Sequence, residues 1–388
     1  MKILKLKARE IKDTRNNPTI EVQLKTDFGK FISSAPNGKS KGKYEKPIWK
    51  KSLNQDIKEI NNFNIYYLDF KKFEDVGKIE KIFNKKIGGN SIIALEYVFL
   101  KALAKEQKKQ VWELINPKAK KIPSLIGNVI GGGLHSNGKK PDFQEFHLIP
   151  LCNFKKAVQI NKFAHKKIKK ILFKIDNNFR KKLNDENAWS TSLNDIKIIF
   201  LLDKVRKTLE IKFKCKIILG IDFASSSFYK KNRYLYKNYV RKLNVSEQIE
   251  YIKKISDVVY YLEDPLQEKD FLGFSKLLKK TKNNLVVGDD LTVTNLKRIK
   301  KAHKNKSINA VIIKPNQIGS LIEVKKCVDY CKKNKIKIIF SHRSGETKEN
   351  ILSDLAFGFQ SDFIKTGVLG KGRDEKLKRM IEIENKIK

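Results

Sequence analysis

Six apolar runs in the second half of the chain each end on a side chain able to do chemistry. They are KIILGID at Asp222, VVYYLE at Glu263, NLVVGD at Asp289, AVIIK at Lys314, IKIIFSHRS at His342-Arg343-Ser344, and SDFIK at Lys365. Successive ends lie 23 to 41 residues apart, about one strand–helix unit each. In a parallel barrel the strand C-termini share one rim, so these groups would meet in one mouth. Asp222, Glu263 and Asp289 offer hard oxygen donors of the kind Mg2+ takes. Taken singly, each acid could be a helix N-cap at a βα junction, but three in consecutive units favour a shared metal. Lys314 in such a mouth is costly unless paired. It reads either as the partner of a neighbouring acid or as a base whose pKa is lowered by nearby cations. Arg343 and Ser344 at a helix N-terminus make a phosphate clamp, with His342 beside them. Together these groups imply a metal-assisted reaction on an anionic substrate.

Weaker signals surround this set. His135 and Glu145 lie ten apart in GGGLHSNGKKPDFQEF. Gly133, Gly138 and Lys139 satisfy G-x-x-x-x-G-K, but Lys140 stands where Ser or Thr is needed and Pro141 follows. The glycine run is better read as letting backbone approach a ligand. Asp185-Glu186, taken alone, reads as a solvated loop pair, and GVLGKG (367–372) as a loop after a strand.

These side chains need a scaffold. Residues 1–24 alternate apolar and polar, predicting two strands joined by DTRNN; GKFISSA predicts a third. The stretch 36–46 is rich in Gly, Lys and Ser and reads as a mobile loop. Helical periodicity at 54–62 and 91–107 completes an N-terminal α+β domain, 1–120. From 121 to 388 strands and helices alternate: a strand at 146–150, helical regions at 154–182 and 191–213, then repeated units to a terminal helix at 377–387.

Lys+Arg number 84 against 42 Asp+Glu, a formal net charge of +42. This could attract nucleic acid or an acidic surface, but the lysines are diffuse, which favours compositional bias over specific binding. The charge would still draw anions toward a cleft. No run approaches a membrane span, the N-terminal stretch lacks the apolar core of a secretory signal, and the four cysteines have no zinc-site pattern. A cytoplasmic protein is expected.

Seven segments carry a specific resemblance. NPTIEV (17–22), QEF (144–146), LEDP (262–265), GDDLTVTN (288–295), IKPNQIG (313–319), SHRSGET (341–347) and IKTG (364–367) together resemble enolase, the phosphopyruvate hydratase family, in the family's order and across the chain. The resemblance implies an N-terminal α+β cap on an enolase-type (α/β)8 barrel with irregular early strands. It implies reversible dehydration of 2-phospho-D-glycerate to phosphoenolpyruvate with two Mg2+ per site. By motif, Asp222, Glu263 and Asp289 would hold the first ion. Ser40, in the loop that closes over substrate, would hold the second. Lys314 would be the base at C2, and Glu186, helped by Glu145, the acid at the 3-hydroxyl. Arg343 and Ser344 would hold the phosphate and Lys365 the carboxylate, while His135 and His342 line the pocket. A homodimer is the family expectation.

The chain departs from the family pattern. Its first loop reads Asn37-Gly38-Lys39-Ser40-Lys41-Gly42, with two added lysines that could bind phosphate or slow loop closure. Asn187-Ala188 replaces Gly-Gly after Asp185-Glu186, Ser227 replaces an acid, and the stretch after Glu45 is short. An alternative is a catalytically impaired relative whose basic surface holds RNA or another acidic partner. Another lyase or racemase of the superfamily is disfavoured by the phosphate clamp.

Overall fold

The structure is a computed structural model of the 388-residue chain and describes residues 1–39, 42–64, 68–83, 85–281 and 283–388. Ser40 and Lys41 lie outside the described residues.

The N-terminal strands form as the alternation predicts. β1 (Ile3–Lys12), β2 (Pro18–Thr26) and β3 (Gly29–Ser34) make an antiparallel sheet in the order β1-β2-β3. α1 (Leu53–Asn61), a short α2 (Gly77–Ile82) and α3 (Gly89–Glu106) follow, and one apolar core joins sheet and helices from Ile3 to Leu103. α3 is buried on every side from Gly89 to Leu100, as a helix with no polar face must be. It lies between the sheet and the barrel. Glu96 on α3 accepts a 2.6 Å hydrogen bond from the Leu321 N–H, and Lys101 pairs with Glu349 at 2.8 Å. These contacts fix the cap over one rim.

After α4 (Val111–Ile115) the barrel begins. Its strands are β4 (Ser124–Gly131), β5 (Glu145–Pro150), β7 (Ile217–Asp222), β11 (Tyr261–Glu263), β12 (Leu285–Gly288), β13 (Ala310–Ile313), β14 (Lys337–Ser341) and β15 (Phe363–Lys365). β15 pairs with β4 and closes the ring. β5 runs antiparallel to both neighbours, so it starts, not ends, at the mouth. This is the irregularity expected of the early strands. β6 (Trp189–Ser190) is a two-residue addition beside β4, and β8 (Tyr229–Lys230), β9 (Arg233–Tyr236) and β10 (Arg241–Leu243) form a small outlying sheet.

The outer helices are α5 (Phe154–Ile175), α6 (Asp195–Phe213), α7 (Val245–Ile255), α8 (Phe271–Lys280), α9 (Leu296–Lys304), the single turn α10 (Pro315–Ile318), α11 (Leu321–Lys333), α12 (Ile351–Gly358) and α13 (Asp374–Ile387). Two of them are shorter than their periodicity suggests. α5 stops at Ile175 because the Asp176 carboxylate turns outward to Thr191 Oγ1 (2.5 Å) and the Ser192 N–H (2.8 Å). α6 starts only at Asp195, since Asn194 caps it by accepting from the Lys197 N–H.

Candidate active site

The strand register sets the first row of the site. Glu145 on β5 pairs with Asp222 on β7, and Asp222 with Glu263 on β11. Three carboxylates therefore stand side by side at the mouth, each almost wholly buried. Asp289 and Lys314 follow the last residues of β12 and β13, and Ser341 at the end of β14 pairs with Lys365 on β15. The barrel thus gathers Asp222, Glu263, Asp289, Lys314, His342, Arg343, Ser344 and Lys365 in one place. Asp222, Glu263 and Asp289 do not cap the helices that follow them: α7 is capped by Asn244, α8 by Asp270 and α9 by Asn295.

Lys365 Nζ lies 2.9 Å from Glu263, 3.2 Å from Glu145 and 3.3 Å from Asp222. Burial works against its ammonium, but these three carboxylates hold its pKa well above the usual value. One cation does not neutralise the row. Burial, with repulsion among the carboxylates, raises Asp222 to about 7 and Glu263 to about 8 even against Lys365. A buried, all-oxygen donor set with surplus negative charge suits a hard divalent cation.

Lys314 Nζ pairs with Asp289 Oδ2. Burial, Arg343 and Lys365 all push Lys314 down, yet Asp289 outweighs them and its pKa is raised. The lowered pKa expected from cations alone is therefore not the state of the ligand-free chain. Burial raises Asp289 too, but Lys314 brings it below the ordinary range.

A second cluster faces the first. His135, in the turn Gly133–His135 after β4, has its Nδ1 3.6 Å from Glu145 and 3.7 Å from Glu186. His342 Nε2 is 3.5 Å from Glu186, and Asn128 Nδ2 donates to Glu186 at 3.1 Å. Glu186 is 3% exposed, so Asp185-Glu186 is not a solvated pair. Burial raises Glu186, but His342, His135 and Arg373 hold its carboxyl well below the usual range. Glu145 sits at about 2: burial and Glu186 raise it, and Lys365 with His147 more than compensate.

The third part is the expected phosphate clamp, which lies in the loop after β14 and not at a helix N-terminus, because α12 begins only at Ile351. Arg343 Nη1 donates to Glu45 Oε2 at 2.9 Å and to Asn316 Oδ1 at 3.2 Å. Glu45 arrives from the loop 36–46, which is tied down where Asn37 and Gly345 exchange backbone hydrogen bonds. Gly38 permits this closeness: a Cβ there would lie 1.9 Å from Arg343 Nη2. The Lys39 N–H donates to Ser344 Oγ at 2.8 Å, and Lys39 Nζ reaches Asp185 at 2.8 Å.

Residues 119–388 match the family described as "Enolase, C-terminal TIM barrel domain". The chain belongs to the enolase family. Among its relatives, the enolase of Sulfolobus acidocaldarius is 36% identical over 402 residues, covering 99% of this chain and 95% of that one. The enolase of Picrophilus torridus is 35% identical, covering 98% and 97%. That of Archaeoglobus fulgidus is 36% identical, covering 97% and 95%. An enolase barrel thus carries all three clusters, and the family implies a divalent metal. Among the described residues no helix is long and apolar enough to cross a membrane.

Several residues of this enolase-family site escaped the sequence reading. Glu45 and Gln317 link the loop to the acids, with Gln317 Nε2 donating to Glu45 (3.3 Å) and Asp289 (3.2 Å). Gln144 donates to Asp222 at 3.3 Å. Arg373, fully buried, donates to the carbonyls of Asp185 and Ser344, both at 3.1 Å. Gln144 and Gln317 stood inside quoted motifs; nothing in GKGRDE marks Arg373.

Proposed function

We propose that the chain catalyses the reversible dehydration of 2-phospho-D-glycerate to phosphoenolpyruvate, the glycolytic phosphopyruvate hydratase reaction, with two Mg2+ per site. The observation that carries this reading is that Asp222 and Glu263 share Lys365 while Asp289 pairs with Lys314 at the same barrel mouth, with Arg343 and Ser344 beside them. Asp222, Glu263 and Asp289 would hold one Mg2+, and Ser40 with substrate oxygens the other. The ions would supply positive charge to the substrate carboxylate as it becomes a dianion.

The chain's own groups account for the rest. Lys314 Nζ takes the C2 proton. Arg343 and Lys365 already press its pKa down, so occupation of the Asp289 oxygens favours the neutral amine. Glu186 gives a proton to the departing 3-hydroxyl. It is ionised in the ligand-free chain, but a bound anionic substrate raises a neighbouring carboxyl, and Glu145 reinforces that. Arg343 and Ser344 hold the phosphate once Glu45 yields it, and Lys365 orients the carboxylate. His135 and His342 wall the pocket. A Lys base with Mg2+ is the pairing already documented for this superfamily.

Residues 1–120 would act as the cap and 121–388 as the barrel, in a cytoplasmic homodimer. Neither the matched family nor the relatives favour the nucleic-acid alternative. The test is ultraviolet detection of phosphoenolpyruvate from 2-phosphoglycerate with and without Mg2+. Mg2+-dependent product is expected, and its absence in the folded, Mg2+-loaded protein refutes the reading.

A further inference from the structure

Directly beneath the carboxylate row lies a second polar row. His147 on β5 pairs with Gly220 on β7, and Gly220 with Tyr261 on β11, one pleat below Glu145, Asp222 and Glu263. Side chains two apart on a strand share a face, so His147 and Tyr261 point into the barrel under the acids. Apolar residues around them include Ile126, Ile149, Leu285 and Ile312, and Asn128 on β4 pairs with His147 in the register. Both rings are wholly buried.

A buried imidazole or phenol is costly unless hydrogen-bonded, and an aliphatic side chain would fill this layer without that cost. Each ring instead directs its polar atom upward to one acid of the site. His147 Nε2 is 2.9 Å from Glu145 Oε2, and Tyr261 Oη donates to Glu263 Oε2 at 2.6 Å. The rings meet edge to face with centroids 5.8 Å apart. Gly220 makes room for both: a Cβ there would lie 3.1 Å from Tyr261 Cβ and 3.3 Å from His147 Cβ.

We propose that His147 and Tyr261 are positioning residues, a hydrogen-bonding floor that fixes the carboxylate planes of Glu145 and Glu263. With Oε2 of Glu145 held by His147, Oε1 is the oxygen that faces His135 in the pocket. Tyr261 holds Oε2 of Glu263 from below while Lys365 Nζ lies 2.9 and 3.0 Å from its two oxygens, so together they fix that carboxylate before a metal ion arrives. Partners of this kind orient the groups that ligate a metal, and losing one weakens metal binding about 10- to 100-fold. This inference rests on the metal and acid roles proposed above.

The experiment compares Tyr261→Phe, His147→Phe and His147→Gln with the wild-type enzyme. Calorimetry without substrate gives the Mg2+ dissociation constant, steady-state assays give kcat and KM, and circular dichroism checks the fold. Tyr261→Phe removes only the hydroxyl. It is expected to weaken Mg2+ binding about tenfold, with kcat at saturating Mg2+ changed less than about threefold. His147→Phe is expected to lower kcat about tenfold while Mg2+ binding holds, and His147→Gln, which keeps an N–H donor, to recover most of that loss. Wild-type Mg2+ binding in Tyr261→Phe together with wild-type kcat in His147→Phe overturns the proposal. If His147→Phe does not fold, a folded His147→Gln with kcat below a tenth of wild type overturns the role of His147. A wild-type protein that neither binds Mg2+ nor turns over refutes the underlying reading instead, so the two failures are distinct.

Discussion

Glu45 Oε2 accepts a 2.9 Å hydrogen bond from Arg343 Nη1, and both side chains are buried. A carboxylate thus occupies the guanidinium assigned to the substrate phosphate. The loop holds it there, since the Gly42 N–H and Gln317 also donate to Glu45. An incoming phosphate must share or displace that carboxylate. Glu45→Gln keeps the shape and removes the competing charge. Inorganic phosphate should then bind the substrate-free enzyme about tenfold more tightly, about 1.4 kcal/mol. Competition against turnover measures this, and weaker phosphate binding in the variant would show that Glu45 instead preorganises Arg343.

Lys314 is the assigned base and stands against Asp289. Lys314→Ala should reduce kcat by about 10³-fold, within the range of a lost general base. Because the variant keeps Asp222, Glu263 and Asp289, Mg2+ should still raise its melting temperature. An ultraviolet assay beside a thermal melt separates the two effects. An unchanged rate would remove Lys314 from its role.

Much of this site could be read from the chain because a barrel turns sequence position into spatial position. An apolar run ending in Asp222 or Lys365 places that end at the rim whatever the intervening helix does. Period two also marks the floor, since 145 and 147 share one face of their strand and 261 and 263 share the same barrel-facing side of theirs. His147 and Tyr261 nevertheless look like ordinary strand residues until β5 and β7 are known to be antiparallel neighbours. Glu45 and Arg373 reach the site through loops, where no periodicity reports direction. The ends of α5 and α6 are not legible in the periodicity for a related reason: Asp176, Thr191 and Ser192 satisfy one another, a tertiary contact that overrides local helical pattern.

Asp222 and Glu263 titrate at about 7 and about 8 in the ligand-free fold, raised first by burial. Around neutral pH the folded chain therefore holds protons there that the unfolded chain has released. Their contribution to stability is full below the ordinary carboxylate range and is lost as pH rises through about 7 and then about 8. The Mg2+-free protein should melt at lower temperature at pH 9 than at pH 6. Asp195, raised by burial to about 7 away from the acids, adds to the same slope. Mg2+ competes with the protons, so it should bind more tightly and raise the melting temperature more at pH 9. Ion at 100 times its dissociation constant adds about 2.7 kcal/mol. Melts at both pH values with and without Mg2+ test this, and an equal Mg2+ shift at both would mean the protons and the ion do not share these oxygens.

Lys39 is one of the lysines that set the first loop apart, and two roles for it make opposite predictions. Its Nζ lies 2.8 Å from Asp185 Oδ2 with the two side chains 36% and 28% exposed, so the pair joins the loop 36–46 to the loop that carries Glu186. Such a partly exposed pair contributes up to about 1 kcal/mol and weakens with salt. As a latch between the loops, Lys39→Met and Asp185→Asn should raise KM in the same direction, by no more than about fivefold, and exchanging the two charges should recover it. As a phosphate ligand, Lys39→Met should raise KM while Asp185→Asn, by freeing the ammonium, should lower it. The geometry favours the latch, because the Lys39 backbone is already fixed on Ser344 Oγ while its side chain extends away toward Asp185. Steady-state KM for the two single variants and the exchanged pair, at low and physiological salt, decides between them.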